Sequence, residues 1–496
     1  MRTQVDPRRV PEYDAILYGL SIESLTVGAL LAKRGKRILI LTSEEDREAL
    51  PFFSQEGFVF EACPSLWLGA DGERSHPALE ELAISIDLRP LHPGLQVALP
   101  HHRFSLYPEK DLLGREVRRE FPEGQEAIAL FLERMRGVYQ RMGGFLHREL
   151  ASPPRGFWAR WEQGRGIPLS LPAFFKQGKP SLLRHLKALG KDGETSSLID
   201  TLVRGFGRVR SKDCSLLFAS TLFTWLQQPI YLPEGGAKGV HDALLAAYER
   251  NGGAIRSVSR GLHLMRQGRR VGGLATEEGE EFVAHSILGG LGLWRICWAS
   301  MMPKEAERWE GRLPMNRNLV LFLGVDEKVL PQEMGENLLL ISDSPSSSSE
   351  GNPLWLLQSP AGDETRAPRG KRALSAILPL APQDRRSDEE VEGMASELME
   401  KLEEFLPFLS RGICLQGVHL HRSLSMLNPG RRWGFRFGVA PLKQMGYPGP
   451  RSFTPQRNLF LIGELPIYGI GLRARLDGGT YWANFLVPHK GGKERG

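Results

Sequence analysis

The first fifty residues alternate between short apolar runs and a helical stretch, and this pattern constrains the fold more than any other feature. Residues 14–19 form an apolar run that ends in glycine, which predicts a buried parallel strand. Residues 25–33 have helical spacing, and Gly35 follows them. Residues 38–41 form a second apolar run. A strand, a tight turn, a helix and a strand within about 30 residues predict the βαβ unit that binds dinucleotides.

The turn after the first strand carries one of the three glycines that a dinucleotide-binding unit uses. Gly19 stands at the first position, and Ser21 and Ser24 stand at the other two. An acidic residue normally ends the second strand and bonds the ribose, but this chain has Thr42 there, whose hydroxyl bonds without the help of a charge. Glu23 lies beside the helix N terminus that would meet the phosphates. This fingerprint leaves two explanations open, a nucleotide site and a plain βαβ unit without a ligand.

The composition is that of a globular protein with two domains. The chain has 496 residues, of which 41% are hydrophobic and 25% charged, and this length favours two domains. The net charge of +6 is spread along the chain, so we expect no nucleic-acid partner, although the charge suits contact with an anionic membrane. The four cysteines are far apart and form no CxxC pair. They argue against a zinc site or a disulfide framework and predict a reducing cytoplasm.

Two segments bear on membranes. Residues 15–32 are apolar and follow Arg8 and Arg9, but Glu23 interrupts them and no small-residue cleavage pattern is present. We interpret them as the first strand and helix, not as an export signal. No apolar segment reaches the roughly 18–20 residues that span a bilayer. Residues 169–191 mix apolar and basic side chains and predict a peripheral membrane contact of a cytoplasmic protein; a solvated helix that covers the second domain is the alternative.

Other motifs assign no chemistry. His419 and His421 would share one face of a strand, but no cysteine or carboxylate cluster accompanies them, so no metal site is predicted. Residues 126–150 and 388–406 have apolar positions at helical spacing and predict packed helices. The chain shows no Ser-His-Asp order, no paired glycosidase carboxylates and no P-loop. The catalytic residues, if any, are therefore unknown.

Segments along most of the chain follow one family pattern. They are residues 30–41, 57–65, 231–244, 251–255, 319–326, 368–379 and 458–484. The last segment begins Asn-Leu-Phe-Leu-Ile-Gly and continues through a glycine-rich turn. Together they resemble the phytoene desaturase, carotenoid isomerase and retinol saturase branch of the FAD-dependent amine oxidase superfamily. The resemblance implies an α/β protein with the two-domain FAD-dependent oxidoreductase fold, in which a Rossmann-like dinucleotide domain and a mixed α+β substrate domain are interleaved in sequence.

The resemblance also implies domain boundaries and a cofactor site. The dinucleotide-binding domain would take residues 1–110, 231–300 and 436–496, and the substrate domain would take residues 111–230 and 301–435. FAD would be held on its adenosine side by Gly19, Ser21, Ser24 and Thr42, and on its flavin side by Gly463, Glu464, Gly469 and Gly471.

Departures from the family pattern concentrate at this FAD site. Ser21, Ser24 and Thr42 are joined by Glu48, Ala49, Cys63, Leu465, Tyr468, Arg473, Arg475 and Asp477. Glu48 replaces a glycine near the expected diphosphate, where a carboxylate repels by roughly 1–4 kcal/mol at contact range. We interpret the departures as erosion of the site and predict that FAD is absent or weakly bound.

Two functional hypotheses follow. The first is a non-catalytic protein that binds an isoprenoid or another apolar lipid, or serves as a partner subunit. The second is an active FAD-dependent oxidoreductase that desaturates, saturates or isomerises a long apolar isoprenoid. Rab GDP-dissociation inhibitors and Rab escort proteins have this fold, lack FAD and bind prenylated partners, although this chain resembles them only over the first βαβ unit. A structural role unrelated to lipids is a third alternative.

Overall fold

The structure is a computed structural model of the chain. It describes residues 12–43, 50–69, 75–151, 182–188, 193–208, 210–212, 214, 216–258, 262–267, 270–290, 292–293, 296, 315–341, 353–380, 388–424, 458–462 and 471–488. Residues 169–181, 189–191, 342–352, 463–470, Glu48 and Ala49 carry sequence predictions and lie outside this description.

The strands, in chain order, are β1 (Tyr13–Tyr18), β2 (Ile38–Thr42), β3 (Phe52–Gln55), β4 (Phe58–Glu61), β5 (Leu88–Pro90), β6 (Leu95–Ala98), β7 (Arg103–Leu106), β8 (Tyr231–Pro233), β9 (Ala254–Ser257), β10 (His263–Gln267), β11 (Arg270–Ala275), β12 (Glu281–Gly289), β13 (Met315–Asp326), β14 (Asn337–Leu340), β15 (Leu354–Gln358), β16 (Lys371–Leu380), β17 (Ile413–Leu424) and β18 (Leu459–Leu461). The helices are α1 (Ile22–Lys33), α2 (Pro77–Glu81), α3 (Lys110–Glu120), α4 (Gln125–Ala151), α5 (Leu182–Ala188), α6 (Gly193–Gly207), α7 (Leu216–Trp225), α8 (Gly236–Arg250), α9 (Asp388–Phe405) and α10 (Leu472–Leu486). Two short 3₁₀ helices are Glu327–Val329 and Leu409–Gly412.

The first large sheet contains the predicted βαβ unit. Its strand order is β10-β11-β12-β1-β2-β9, and β18 also pairs with β12. The β1, β2, β9, β12 and β18 pairings are parallel, whereas β10, β11 and β12 pair antiparallel. Because β1 and β2 are nearly continuous apolar runs, they are buried on both faces. Helices α1, α8 and α10 pack together on one face.

Helix α1 begins three residues earlier than predicted, at Ile22, because Ser21 caps it. Its last residue is Lys33, and Gly35 follows with a φ of +78°. That left-handed conformation suits glycine and ends the helix where the sequence predicted.

The second large sheet has the order β17-β13-β16-β15-β14-β6-β7. Its pairings are antiparallel except for β14 with β6. One face packs against helices α3 to α7, and the other packs against α9. The β6–β7 hairpin pairs with this sheet, whereas the predicted boundaries placed residues 1–110 in the dinucleotide-binding domain. The sequence of a short strand does not indicate which sheet it joins. The other domain boundaries stay predictions.

The two long amphipathic patterns form helices. Residues 126–150 correspond to α4, and residues 388–406 correspond to α9. Phe131 and Met135 of α4 are buried as a packed helix requires, but Leu130 is 59% exposed. Within the described residues, none of the helices combines the length and the apolar character that crossing a membrane requires.

Candidate functional site

The turn from β1 into α1 has the geometry that a tight βα connection needs. Gly19 has a φ of +92°, in the left-handed region that favours glycine. Its amide donates a hydrogen bond of 2.8 Å to the carbonyl of Leu41, at the end of β2. The one retained glycine therefore stands where the backbone demands it.

The two serines that replace glycines bond each other at the start of α1. Ser21 is the N-cap residue, and its Oγ accepts a hydrogen bond of 3.1 Å from the amide of Ser24. The Ser21 hydroxyl also lies 3.2 Å from Ser24 Oγ, to which it donates. A side chain of the protein thus satisfies an amide at the start of the helix, where a dinucleotide-binding unit directs amides toward phosphate.

Thr42, at the end of β2, is buried. Its hydroxyl lies 3.5 Å from the carbonyl of Ser43, at the limit of a hydrogen bond, and its own carbonyl accepts the amide of Val258 at 2.9 Å. The Tyr18 hydroxyl donates to Ser43 Oγ at 3.2 Å. This end of the sheet is lined by hydroxyl groups in the place where the family pattern has an acidic residue.

Glu23 does not lie in the loop as a free carboxylate. It belongs to the first turn of α1, and its Oε1 lies 3.2 Å from Nη1 of Arg475 in α10. The two side chains are 3% and 8% exposed. The second nitrogen of Arg475, Nη2, lies 3.6 Å from Cys63 Sγ. Arg475 and Cys63, two departures from the family pattern, therefore lie together with Glu23.

Helices α1 and α10 approach each other closely beside this ion pair. A Cβ atom on Gly479 would lie 2.5 Å from Thr26 Cβ and 2.9 Å from the carbonyl oxygen of Glu23. Gly479 is one helical turn after Arg475, so both face α1. The missing side chain allows the contact that brings the two charges together.

A second buried ion pair lies next to the first. Glu61 and Arg366, 2% and 3% exposed, are 3.4 Å apart, and Glu61 Oε1 also accepts the amide of Ala237 at the start of α8. Burial raises the pKa of Glu61, and the charges of Arg366 and Arg475 act in the opposite direction. Glu23, Arg475, Glu61 and Arg366 thus form a buried series of alternating charge, which we call the charge series.

Asp477, another departure in α10, also has a partner. His76 Nδ1 accepts the amide of Ala78, so His76 Nε2 carries the proton and donates to Asp477 Oδ1 at 2.9 Å. Farther along α10, Asn484 accepts a hydrogen bond of 2.9 Å from Arg34. These polar contacts hold α10 against the elements around α1, so Arg475 and Asp477 both have structural partners.

The flavin side of the predicted site is described in part. Gly471 has a φ of +83° and pairs with Trp67, and a Cβ atom there would lie 2.3 Å from the carbonyl oxygen of Leu66. Nη1 of Arg473 is shielded from solvent and has no hydrogen-bond partner among the described residues. The other predicted flavin-side residues, Gly463, Glu464 and Gly469, lie outside the described residues.

Sequence reasoning missed a polar group on the second sheet. Asn318 and His421 are opposite each other on β13 and β17, and Asn318 Nδ2 donates to the carbonyl of Ala62 at 2.9 Å. His419 lies on the same face of β17 as His421, as predicted, and stacks on Phe53 with ring centroids 4.2 Å apart. Burial lowers the pKa of His419. The signal in the sequence was Asn318, a polar residue directly before the apolar run at 319–323 within β13.

Judged by hydrogen bonds and charge, the described residues fit the diphosphate of a dinucleotide poorly. A helix N terminus favours an anion, and that of α1 already has the carboxylate of Glu23 in its first turn. The Ser24 amide is bonded to Ser21. The turn geometry of Gly19 and Gly471 remains compatible with a ligand.

Sequence comparisons find distant relatives. No family model matches the chain. Two all-trans-retinol 13,14-reductases of Danio rerio are 25% and 22% identical over 54% and 74% of the chain, and the former is named inactive. The matches span 45% and 66% of these two relatives. A chloroplastic prolycopene isomerase of Daucus carota is 22% identical over 97% of the chain and 81% of its own length. A 4,4'-diapophytoene desaturase of a Methylomonas species is 20% identical over 92% of each chain.

Solved structures share the fold. An oxidoreductase from Methanosarcina mazei has a TM-score of 0.58 at 16% identity and covers 94% of this chain and 98% of its own. Cyclohexylamine oxidase from Brevibacterium oxydans has a TM-score of 0.58 at 13% identity over 96% and 99%. A Rab GDI from Plasmodium falciparum has a TM-score of 0.52 at 11% identity over 96% and 98%. The shared fold at this low identity agrees with the sequence analysis, which gave Rab GDIs the same fold but limited their sequence likeness to the first βαβ unit.

The fold and the relatives agree. The chain has the two-domain α/β fold of FAD-dependent oxidoreductases, as the sequence predicted. Its relatives reduce retinol, isomerise prolycopene or desaturate diapophytoene, according to their names. The chain is thus a divergent relative of the phytoene desaturase, carotenoid isomerase and retinol saturase branch of the amine oxidase superfamily.

Proposed function

We propose that this protein is a non-catalytic member of its branch that binds FAD weakly or not at all. The observation that carries the proposal is the buried ion pair of Glu23 and Arg475 at the N terminus of α1. A second support is the Ser21 cap, which uses the amide of Ser24. A dinucleotide at this place would have to displace contacts that the protein makes with itself, and each displaced contact would reduce its affinity.

The proposed ligand is an isoprenoid or another apolar lipid. Retinol, prolycopene and diapophytoene in the names of the relatives are long apolar isoprenoids. The second sheet offers an apolar face to the helices that cover it, with Val320, Leu339, Trp355 and Ile377 in one buried cluster. A protein that has lost its cofactor retains such a surface, because packing and not the flavin maintains it.

Two further parts of the proposal concern partners. A role as a partner subunit is consistent with a fold that a Rab GDI shares. The basic amphipathic residues 169–191 are proposed as a peripheral membrane contact, for which the sequence pattern is the support. We propose no nucleic-acid partner, because the positive charge is not clustered.

Two observations favour an active FAD-dependent oxidoreductase as the second candidate. Gly19 and Gly471 have the positive φ of tight turns on both sides of the predicted site, and Arg473 Nη1 is shielded without a partner among the described residues. FAD, if bound, would supply hydride exchange with an apolar substrate. Arg473 would then be the side chain of this group that is available to an acceptor on the ligand.

The first test is the visible absorbance spectrum of the purified full chain, before and after incubation with FAD and desalting. We expect a spectrum without flavin bands after desalting. Flavin bands that survive desalting would refute the non-catalytic proposal and favour the oxidoreductase. Extraction of the same sample with organic solvent, followed by mass spectrometry, tests the lipid part of the proposal, and we expect a co-purified isoprenoid or other apolar lipid.

A variant that restores the family pattern is the matched control. Ser21→Gly, Ser24→Gly and Thr42→Glu return two glycines and an acidic residue to their positions, and Glu48→Gly with Ala49→Gly extends the restoration. We expect this variant to bind FAD more tightly than the wild type. Equal and undetectable binding by both would show that these five positions do not control the cofactor.

A further inference from the structure

The N terminus of α1 is a place where the fold favours negative charge. The unpaired amides and the helix dipole of a first turn attract anions, and dinucleotide-binding units use this for the diphosphate. Glu23 is the acidic residue of that turn, and only 3% of its side chain is exposed. A carboxylate so placed is stabilised by the same field that would stabilise a phosphate.

A carboxylate cannot be buried at such a place without a cation. Removing an ion from water costs several kcal/mol, and the cost is offset only by an opposite charge with good geometry. Arg475 supplies that charge at 3.2 Å. Burial raises the pKa of Glu61, and the charge of Arg475 opposes that rise. Arg475 therefore acts on two buried carboxylates and is part of the charge series.

We infer that the Glu23–Arg475 pair is an internal substitute for the charge of a bound dinucleotide. Glu23 provides the anion for the N terminus of α1, and Arg475 balances it and links α10 to α1. This inference rests on the proposed function, since a chain that retains FAD would need no substitute. It explains why two charged residues more than 450 positions apart in sequence, Glu23 and Arg475, occur together: their side chains are in contact.

The inference predicts that an anion can replace the carboxylate. In Glu23→Ser, the Arg475 guanidinium and the N terminus of α1 would border the space that the Glu23 carboxylate filled. We expect the melting temperature of this variant to fall by about 3–5 °C in buffer without multivalent anions. Inorganic pyrophosphate at millimolar concentration should restore at least half of the loss, whereas sodium chloride at the same ionic strength should not.

Two variants control the experiment. Arg475→Met removes the cation, so its melting temperature should fall and pyrophosphate should not restore it. Glu81→Gln breaks the comparable pair of Glu81 and Arg34, whose Oε1 and Nε lie 2.8 Å apart away from the α1 N terminus. Pyrophosphate should not stabilise this variant above the wild type.

The conservative variant Glu23→Gln guards against a failure to fold. It retains the shape of the side chain and loses its charge. We therefore expect its melting temperature to fall less than that of Glu23→Ser and to recover in part in pyrophosphate. If neither Glu23 variant gains more from pyrophosphate than Glu81→Gln, the inference is wrong. The two failures can be distinguished. FAD retained by the wild type would refute the proposed function. If pyrophosphate restores none of the melting temperature, only the inference about the Glu23–Arg475 pair is refuted.

Discussion

Two helices of the candidate site, α1 and α10, begin with first turns of opposite charge. Helix α1 has Ser21 as a cap that bonds an amide and Glu23 as an acidic residue in its first turn. Helix α10 begins after Gly471, and among the described residues it has neither a side-chain cap nor an acidic residue in its first turn. Its second residue is Arg473, with a shielded nitrogen that lacks a described partner.

The contrast separates two kinds of change at one site. At the start of α1, the chain's own side chains occupy the polar groups. Ser21 Oγ accepts the amide of Ser24, and the carboxylate of Glu23 pairs with Arg475. At α10 no described side chain caps the first turn, and Nη1 of Arg473 has no described partner. We therefore expect the α1 end to determine stability and the α10 end to determine what the site can still bind.

The largest expected effect follows from removing the cation of the α1 end. Arg475→Met leaves Glu23 buried without its charge partner, and we expect the free energy of unfolding to fall by about 3–5 kcal/mol. Urea denaturation of the wild type and the variant measures it. The double variant Glu23→Gln with Arg475→Met should recover much of the loss. If Arg475→Met loses less than about 1 kcal/mol, the Glu23–Arg475 pair is as weak as a surface ion pair, and the α1 and α10 ends do not differ in stability.

The next effect concerns the close approach of the two helices. Gly479→Ala places a Cβ atom 2.5 Å from Thr26 Cβ, so we expect a loss of roughly 1–3 kcal/mol. Gly393→Ala in α9 is the matched control, because no atom lies within 4 Å of its added Cβ. That control should gain about 0.5–1 kcal/mol from helix propensity. Losses of equal size in both would mean that close packing at Gly479 is not the cause.

A smaller effect is expected for the cap. Ser21→Ala removes the acceptor of the Ser24 amide, which should cost about 1 kcal/mol. Ser24→Ala retains that hydrogen bond and should cost less. Thermal unfolding of the two single variants distinguishes them. If Ser24→Ala were the more damaging, the hydroxyl of Ser24 and not the Ser21 cap would be the important group.

The smallest effect is expected at the α10 end. Arg473→Met removes a shielded nitrogen that has no described partner, so stability should stay within about 1 kcal/mol of the wild type and should not fall. If the free energy of unfolding fell as much as in Arg475→Met, the side chains at both ends would stabilise the fold equally. Ligand binding is the complementary measurement, since any flavin that the chain retains should be released more readily from Arg473→Met.

Local patterns in the sequence predicted the elements well. The bounds of β1 and β2 and the end of α1 follow from apolar runs and a glycine, which act over a few residues, whereas the start of α1 also depends on the Ser21 cap. Helix α9 likewise buries Val391, Met394 and Leu398 as its spacing predicts. Such features depend on periodicity that is visible in one segment.

The polar contacts of the site could not be predicted in the same way. Glu23 and Arg475 are 452 positions apart, and His76 and Asp477 are 401 positions apart. The sequence around a charged residue does not identify a partner so far away, so these contacts could not be predicted. Erosion of the FAD site stays a prediction. Ser21 precedes α1 and Ser24 lies in its first turn, and the role of Ser21 as a cap depends on one hydrogen-bond geometry that the sequence does not show. Whether FAD binds stays a prediction.

The first sheet also sets an order of events during synthesis. Strand β18 begins at Leu459, 417 residues after Thr42 ends β2, and α10 follows it. At about 5–20 residues per second, a ribosome needs roughly 20–80 s to cover that distance. Through this interval α1 has emerged without the helix that buries one of its sides, whereas the last described strand of the second sheet, β17, ends at Leu424 and is made earlier. The half of the protein that begins first is completed last, and a chaperone would find its apolar surface exposed there.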